Sequence, residues 1–404
     1  MLRRSEISRF TRQLSYLWIV IPEPPNIVSR YVQRRALLLS LILLALLFAV
    51  TATLARTYHA REEGLVAEWF QQGNADFAAG KPGKAFEDFR NALSYGPDNQ
   101  QVELRLAEAL LADGRFTEAR SYLVNLWERA PGSGEVNLDL AHDSAELRDE
   151  DEAIHYFRGA ILGSWDKDPA LARRNVRFEL CEFLLSHNRA NDAQAEIAGL
   201  AADTPAGDGL LHEETGGLFL KAGEPGKALS EFEAALRTNP RQSQWLAEAG
   251  QAAYQVGDYL KAEMYFSKVD RENPSKEIHA SLVLVRDVLG NDPFLVGLGD
   301  EEQARRSWRD LGLALARLRN CAQAIADNSP SKQPPSDLQP LNNDAQDLQK
   351  RVNLRSLGKS AEERSEAMQL VFRIEDATSQ ICGPAAGVDQ ALLLIERRHE
   401  GSTP

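Results

Sequence analysis

The 404-residue sequence holds only three cysteines, three methionines and 7% aromatic residues. Cys181, Cys321 and Cys382 form no Cys-x-x-Cys pair, which argues against a zinc ribbon or a thioredoxin-type motif. The seven histidines are scattered, no two stand four residues apart, and no His-Glu-x-x-His occurs. No helical metal site is therefore expected. The sequence also lacks a Gly-x-Ser-x-Gly nucleophile elbow and a Gly-rich phosphate loop ending in Gly-Lys-Ser/Thr. "GLGDEE", from Gly297, contains Gly-x-Gly, but no strand pattern precedes it and it reads as a turn. Glu213 and Glu214 are adjacent, so on a helix they point to different sides. These absences predict a chain without catalysis, cofactor or metal.

Positive charge is short as well. Lys and Arg number 46 against 59 Asp and Glu, a formal net charge of −13. Residues 1–35 hold seven arginines against Glu6 and Glu23, which leaves 39 basic and 57 acidic side chains in the remainder. Phosphate backbones demand Lys/Arg patches, so nucleic acid is not an expected partner. An acidic body suits solubility and basic clients.

Residues 36–55, "ALLLSLILLALLFAVTATLA", lack charge altogether. Twenty helical residues span about 30 Å, the thickness of a bilayer's hydrocarbon core. A signal-peptide core is shorter, about 7–15 residues. The run predicts a single transmembrane helix. The arginine excess precedes it, while Arg56 and Arg61 with Glu62 and Glu63 follow. The N-terminus is then cytoplasmic and the rest exported, into the periplasm if the membrane is a bacterial inner membrane. "SRFTRQLSYLWIVIP" sets arginines beside Phe10, Leu14, Leu17 and Trp18. It fits either a helix lying on the inner membrane surface or a partner-dependent tail.

Beyond residue 65 the sequence repeats. Ala85, Ala119, Ala153, Ala193, Ala228 and Ala262 recur at steps of 34, 34, 40, 35 and 34. Apolar residues follow at offsets of four (Phe89, Leu123, Phe157, Ile197, Phe232, Phe266) and seven, one stripe on a helix. Proline follows at twelve in five units and Trp165 in the third, and it ends one helix and opens the next. Five residues before each alanine stand Gly80, Gly114, Arg148, Asn188, Gly223 and Gly257, where a left-handed residue closes a helix. Twelve before stand Gly73, Ala107, Ala141, Cys181, Gly216 and Gly250, small enough to let two helices approach. Each unit reads helix, tight turn, helix, proline. The third departs from the pattern, and "GSWDKDPALARR" predicts a longer loop or helix extension.

"GNADFAAGKPGKAFEDFRNALSYGPDN" and "GQAAYQVGDYLKAEMYFSKVDRENP" resemble the tetratricopeptide repeat family, and the likeness covers residues 66–275. It implies an all-α, TPR-like α-solenoid of about six helix-turn-helix repeats. In that family the first helices line a concave groove that takes up peptides. The matched offsets place Phe70, Asn74, Phe77, Glu108, Leu111, His142, Phe178, Glu182, Lys221, Gln251 and Tyr254 there, and packing between units is the plainer role for each. Relatives that clamp a C-terminal carboxylate use basic groups where this sequence has Glu135 and Asp139, which speaks against that mode.

After Pro274, "SKEIHASLVLVRDVLG" reads as one more first helix whose second helix does not follow in register. A helix over 301–326 carries Ala304, Trp308, Leu311, Leu315, Leu318, Ala322 and Ile325 at alternating steps of four and three, a heptad seam. It either caps the repeats or forms a homodimer. Capping helices are assigned to 276–326, a flexible linker to 327–340 and a helical segment to 341–404, with patterns near 341–356, 361–380 and 387–398. Cys321 and Cys382 are open to two readings, a disulfide if exported or two free thiols. Cys181 sits at the small-residue offset as a buried filler.

The sequence as a whole reads as a membrane-anchored scaffold that tethers or assembles envelope proteins. A membrane-tethered chaperone or translocation receptor, a non-catalytic subunit of a membrane complex, and an enzyme whose site lies in 300–404 are the alternatives.

Overall fold

The computed structural model describes residues 27–328 and 338–400, and every regular element among them is an α-helix. The arginine-aromatic stretch before residue 27 and most of the proline-rich segment 327–340 lie outside the described residues. The chain divides into two compact units between Ala153 and Ile154.

Unit 1 begins with α1 (Ile27–Ala78), a single helix of 52 residues. The sequence pattern leaves residues 56–65 unassigned between the apolar run and the first repeat; the structure joins the two without a break. Residues 56–65 contain no proline, and Gly64 alone weakens the helix there. The first helix of the first repeat is thus the rigid continuation of the apolar run. α1 is the one described helix long and apolar enough to cross a membrane, with a mean hydropathy of 2.7 in its best window, and no other described residue buries that window. Phe48 is 75% exposed, and the leucines around it are similarly bare. α2 (Pro82–Tyr95), α3 (Gln100–Ala112), α4 (Phe116–Arg129) and α5 (Gly134–Glu146) follow as alternating second and first helices, and α6 (Glu150–Leu162) carries the chain across the unit boundary.

Two local devices set the repeat geometry. All six residues five places before the anchoring alanines have positive φ: Gly80 69°, Gly114 75°, Arg148 63°, Asn188 58°, Gly223 77° and Gly257 83°. Four are glycine, which meets no Cβ clash in that conformation, and asparagine tolerates it. Arg148 takes it at a cost of about 1–2 kcal/mol. Twelve places before the alanine, glycine sits under an aromatic ring. A Cβ on Gly73 would stand 2.6 Å from Phe89, one on Gly216 2.8 Å from Phe232, and one on Gly250 2.7 Å from Phe266.

Unit 2 continues with α7 (Pro169–Ser186), α8 (Ala190–Asp203), α9 (Gly209–Lys221), α10 (Pro225–Thr238), α11 (Ser243–Val256) and α12 (Tyr259–Glu272). The irregular third repeat resolves as both a loop and a longer helix, since α7 has 18 residues where the next two first helices, α9 and α11, have 13 and 14. Trp165, standing where proline is expected, donates its indole N–H to the Ala160 carbonyl at 3.0 Å. It joins the Gly163 N–H, which donates to the same carbonyl at 3.2 Å. Arg173 donates to the Gly163 carbonyl at 3.1 Å.

The end of unit 2 has a discontinuous repeat. α13 (Lys276–Asn291) is a first helix, but α14 (Asp300–Asn328) meets only its C-terminal end, where Arg306 donates to the Leu289 carbonyl at 2.7 Å and Arg309 to that of Gly290 at 2.5 Å. The neighbour that covers α13 is the last helix, α18 (Val388–Glu400), with Ala391, Leu392 and Ile395 buried. Arg398 reaches Asp292 at 2.8 Å, and the His399 ring stacks on Phe294 at 4.2 Å. Between them run α15 (Gln339–Arg351), α16 (Leu354–Leu357) and α17 (Ala361–Cys382). The sequence pattern over 341–356 splits because Asn353 caps α16, accepting from Ser356 N at 3.0 Å.

α14 and α17 run in the same direction, pinned at Asp300–Arg364 (2.8 Å), at Arg317–Thr378 (2.7 Å) and at the Cys321–Cys382 disulfide (Cα–Cα 5.8 Å). The heptad seam is covered within the chain: Ala304, Leu311, Leu315 and Leu318 are buried, and Trp308 remains 40% exposed. Covering the seam therefore requires no second copy. Cys181 is a buried free thiol, pushed up to about 12 by burial.

Candidate peptide-binding surface

In unit 1 the first helices of successive repeats are the end of α1, α3 and α5. Phe70 is half-buried and its ring tilts against Phe89, 5.8 Å between centroids, so it is part of the packing between helices. Asn74, Phe77 and Leu111 are half-buried, and His142 is exposed. Glu108, also half-buried, accepts from Arg105 at 2.6 Å, yet burial raises its pKa. One helix further along, burial first and then Glu108 and Glu135 hold the Asp139 carboxyl well above the usual carboxylate range. Asp139 Oδ2 is shut off from solvent without a hydrogen-bond partner among the described residues. Three carboxylates thus converge from α3 and α5 with Arg105 as their opposing charge.

Behind these faces Arg120 of α4 ties the unit together. It donates to Asp143 at 3.0 Å and also to Glu152. Asp143 has no exposed surface, and burial raises its pKa in spite of the arginine.

In unit 2 the first helices are α7, α9 and α11. Phe178 is half-buried and Glu182 exposed on α7; Lys221 ends α9 and is exposed. On α11 Gln251 is exposed, while Tyr254 is half-buried, edge-on to Tyr259 at 6.0 Å, its pKa raised by burial. Gln244 bridges Glu213 of α9 and Glu248 of α11 with 3.1 Å bonds to each. Burial raises both carboxyls. Glu213 is half-buried and Glu214 exposed, as adjacency on a helix requires.

The eleven sequence candidates thus fall on first helices of both units, six in the first and five in the second. The offset scheme left out Arg105 and Glu248 and gave Asp139 only a negative role. All three stand fourteen residues before an anchoring alanine, and the same arithmetic carried one position further would have found them. Among the described residues no three His, Cys, Asp or Glu side chains are placed to hold a metal ion.

The comparisons with known proteins agree with the repeat geometry. Residues 76–137 and 215–277 each match a sequence profile described as tetratricopeptide repeat. No curated protein sequence matches the chain. Among solved structures, one from a functional characterization of Pseudomonas aeruginosa pilF is 16% identical over 54% of this chain and 96% of its own, with a TM-score of 0.37. PilW, described as a widely conserved type IV pilus biogenesis factor, is 19% identical over 54% of this chain and 98% of its own, TM-score 0.37. The C-terminal part of a repeat-containing protein from Cytophaga hutchinsonii is 14% identical over 59% and 92%, TM-score 0.41. Stacked helix pairs of this kind present extended surfaces for other proteins. With left-handed closures at all six turns, small-under-large packing between helices and two profile matches, residues 76–137 and 215–277 of this chain are tetratricopeptide repeats.

Proposed function

We propose that this protein is a single-pass, membrane-anchored scaffold whose repeats lie outside the cytoplasm and hold other envelope proteins or their peptide segments. The observation that carries the reading is α1: the apolar run and the first repeat helix are one unbroken helix. A bare apolar surface 20 residues long has no cover among the described residues, and a bilayer supplies it. The arginine excess before the run favours a cytoplasmic N-terminus. The Cys321–Cys382 disulfide fits an oxidising compartment. The described domains are then an anchor over 36–55, repeats over 66–275 and a helical cap beyond.

Binding would use the first-helix faces, with their aromatic and carboxylate side chains. A photoreactive residue at Phe77 or Tyr254 in living cells tests this. The expected product is a covalent adduct with a protein; labelling of a small metabolite alone would overturn the reading.

A further inference from the structure

We propose that a cleft on unit 1, beside the outer end of the apolar helix, binds an arginine- or lysine-bearing segment that flanks the membrane span of a partner protein. This rests on the membrane-anchored reading above. The cleft has a volume of about 520 Å³ and lies between α1, from His59 to Phe70, and the turn from α2 into α3, from Tyr95 to Val102.

Its chemistry is one-sided. Val66, Phe70 and the buried Val102 make an apolar floor, and Tyr95, 41% exposed, stands at the mouth. Glu62 and Glu63 line the α1 side, and among the described residues no lysine or arginine lines the cleft. Glu62 has His59 at 3.4 Å as its ion-pair partner, and Glu63 has none among the described residues. An aliphatic stem over an apolar floor, an aromatic ring beside it and two carboxylates at its end are what a long basic side chain seeks. An acidic or neutral segment would leave Glu63 without an opposing charge and Glu62 with His59 alone.

Location separates a protein occupant from a lipid headgroup. Because α1 is continuous, its rise of about 1.5 Å per residue puts His59 about 6 Å and Phe70 about 22 Å beyond residue 55. The headgroup layer is only about 5–7 Å deep on each side of the hydrocarbon. A headgroup ammonium reaches the lower lip of the cleft and leaves its floor empty. A polypeptide leaving the bilayer beside α1 runs along its whole length.

The test uses the full chain in detergent micelles and a set of fluorescent nonapeptides sharing one apolar-aromatic frame. The central residue is arginine, its uncharged isostere citrulline, or norleucine. The arginine peptide should bind about tenfold or more tightly than the other two. The Glu62→Gln/Glu63→Gln double variant should remove that preference and leave the citrulline peptide unchanged. Raising salt should weaken only the arginine peptide. No binding, equal binding of arginine and citrulline peptides, or an undiminished preference in the double variant would overturn the proposal. So would displacement of the arginine peptide by short-chain phosphatidylethanolamine at equal concentration, which would make the cleft a lipid site. A negative result here with the repeats still found outside the cytoplasm leaves the anchored reading standing. Repeats found inside sink that reading whatever the peptides do.

Discussion

Phe266 closes over Gly250, and a Cβ on the glycine would stand 2.7 Å from the ring. The same pairing joins Gly216 to Phe232 and Gly73 to Phe89. Where the small residue is Ala107 or Cys181, the large one in the sequence is Leu123 or Ile197, while the irregular third repeat pairs Ala141 with Phe157. In the other five repeats small and large trade volume across one helix pair, and this sets how closely the two helices approach.

Neighbouring glycines on α9 test this with opposite signs. Gly216→Ala forces a methyl into Phe232 and should cost about 1–3 kcal/mol. Gly217 has nothing within 4 Å of a built Cβ, so Gly217→Ala should stabilise by about 0.5–1 kcal/mol through helix propensity alone. Urea melts of the two variants read the difference; equal effects would mean that the close approach does not set the packing.

Arg148 is exposed and holds a left-handed conformation that four sister positions give to glycine. Relief of about 1–2 kcal/mol of strain outweighs the unfolded-state entropy that glycine adds, about 0.4–1 kcal/mol. Arg148→Gly should therefore raise stability by about 0.5–1 kcal/mol in a thermal melt, and a lower midpoint would contradict the account.

Unit 2 should be more stable at pH 5 than at pH 8.5. Glu375 has no exposed surface and is pushed up to about 8, chiefly by burial and then by Asp389, against the opposing Arg317 3.2 Å away. Asp310, also without exposed surface, is pushed up to about 7 by burial. An acid whose pKa is higher in the folded chain binds its proton more tightly there. Its contribution is full below the unfolded value and is lost as pH rises through the folded one. The windows run from 4.5 to about 8 for Glu375 and from 3.8 to about 7 for Asp310. Melts across this range should show a falling midpoint that Glu375→Gln flattens. A midpoint that rises toward pH 8.5 would refute the assignment.

The disulfide closes a segment with a sequence separation of 61 residues. Chain entropy alone gives it a stabilisation of about 4 kcal/mol. Reduction should lower the unfolding midpoint of the α14–α17 part. Thiol titration of the exported chain should find one thiol, Cys181, and only after denaturation. Three reactive thiols would contradict it.

The turns and helix pairs were legible because their causes are local. A left-handed residue, a small residue and a proline at fixed offsets each act within one repeat, and the structure places all six left-handed residues where the sequence does. The partner of α13 was not legible. Its second helix comes from residues 388–400, about a hundred residues later; the apolar "ALLLIERR" marks that helix as one that docks on the body, but no local signal names α13 as its partner. Trp165 stands where the other repeats have proline, and its indole bond to the Ala160 carbonyl depends on the folded loop. The continuity of α1 has no signal in the repeat pattern, because residues 56–65 carry neither the apolar run nor the repeat offsets. Of the candidate surface, positions could be assigned but not environment: Asp139 shows its burial beside Glu108 and Glu135 only once α3 and α5 are side by side.

The measurement that bears most directly on the central claim is topology. Two reporters, one active only outside the cytoplasm and one only inside, are fused after Pro404 in bacterial cells. Activity of the outside reporter alone is the predicted result, and it directs the search for partners to envelope proteins. Activity of the inside reporter alone would contradict the anchored, exported scaffold and leave a repeat protein whose clients are cytosolic.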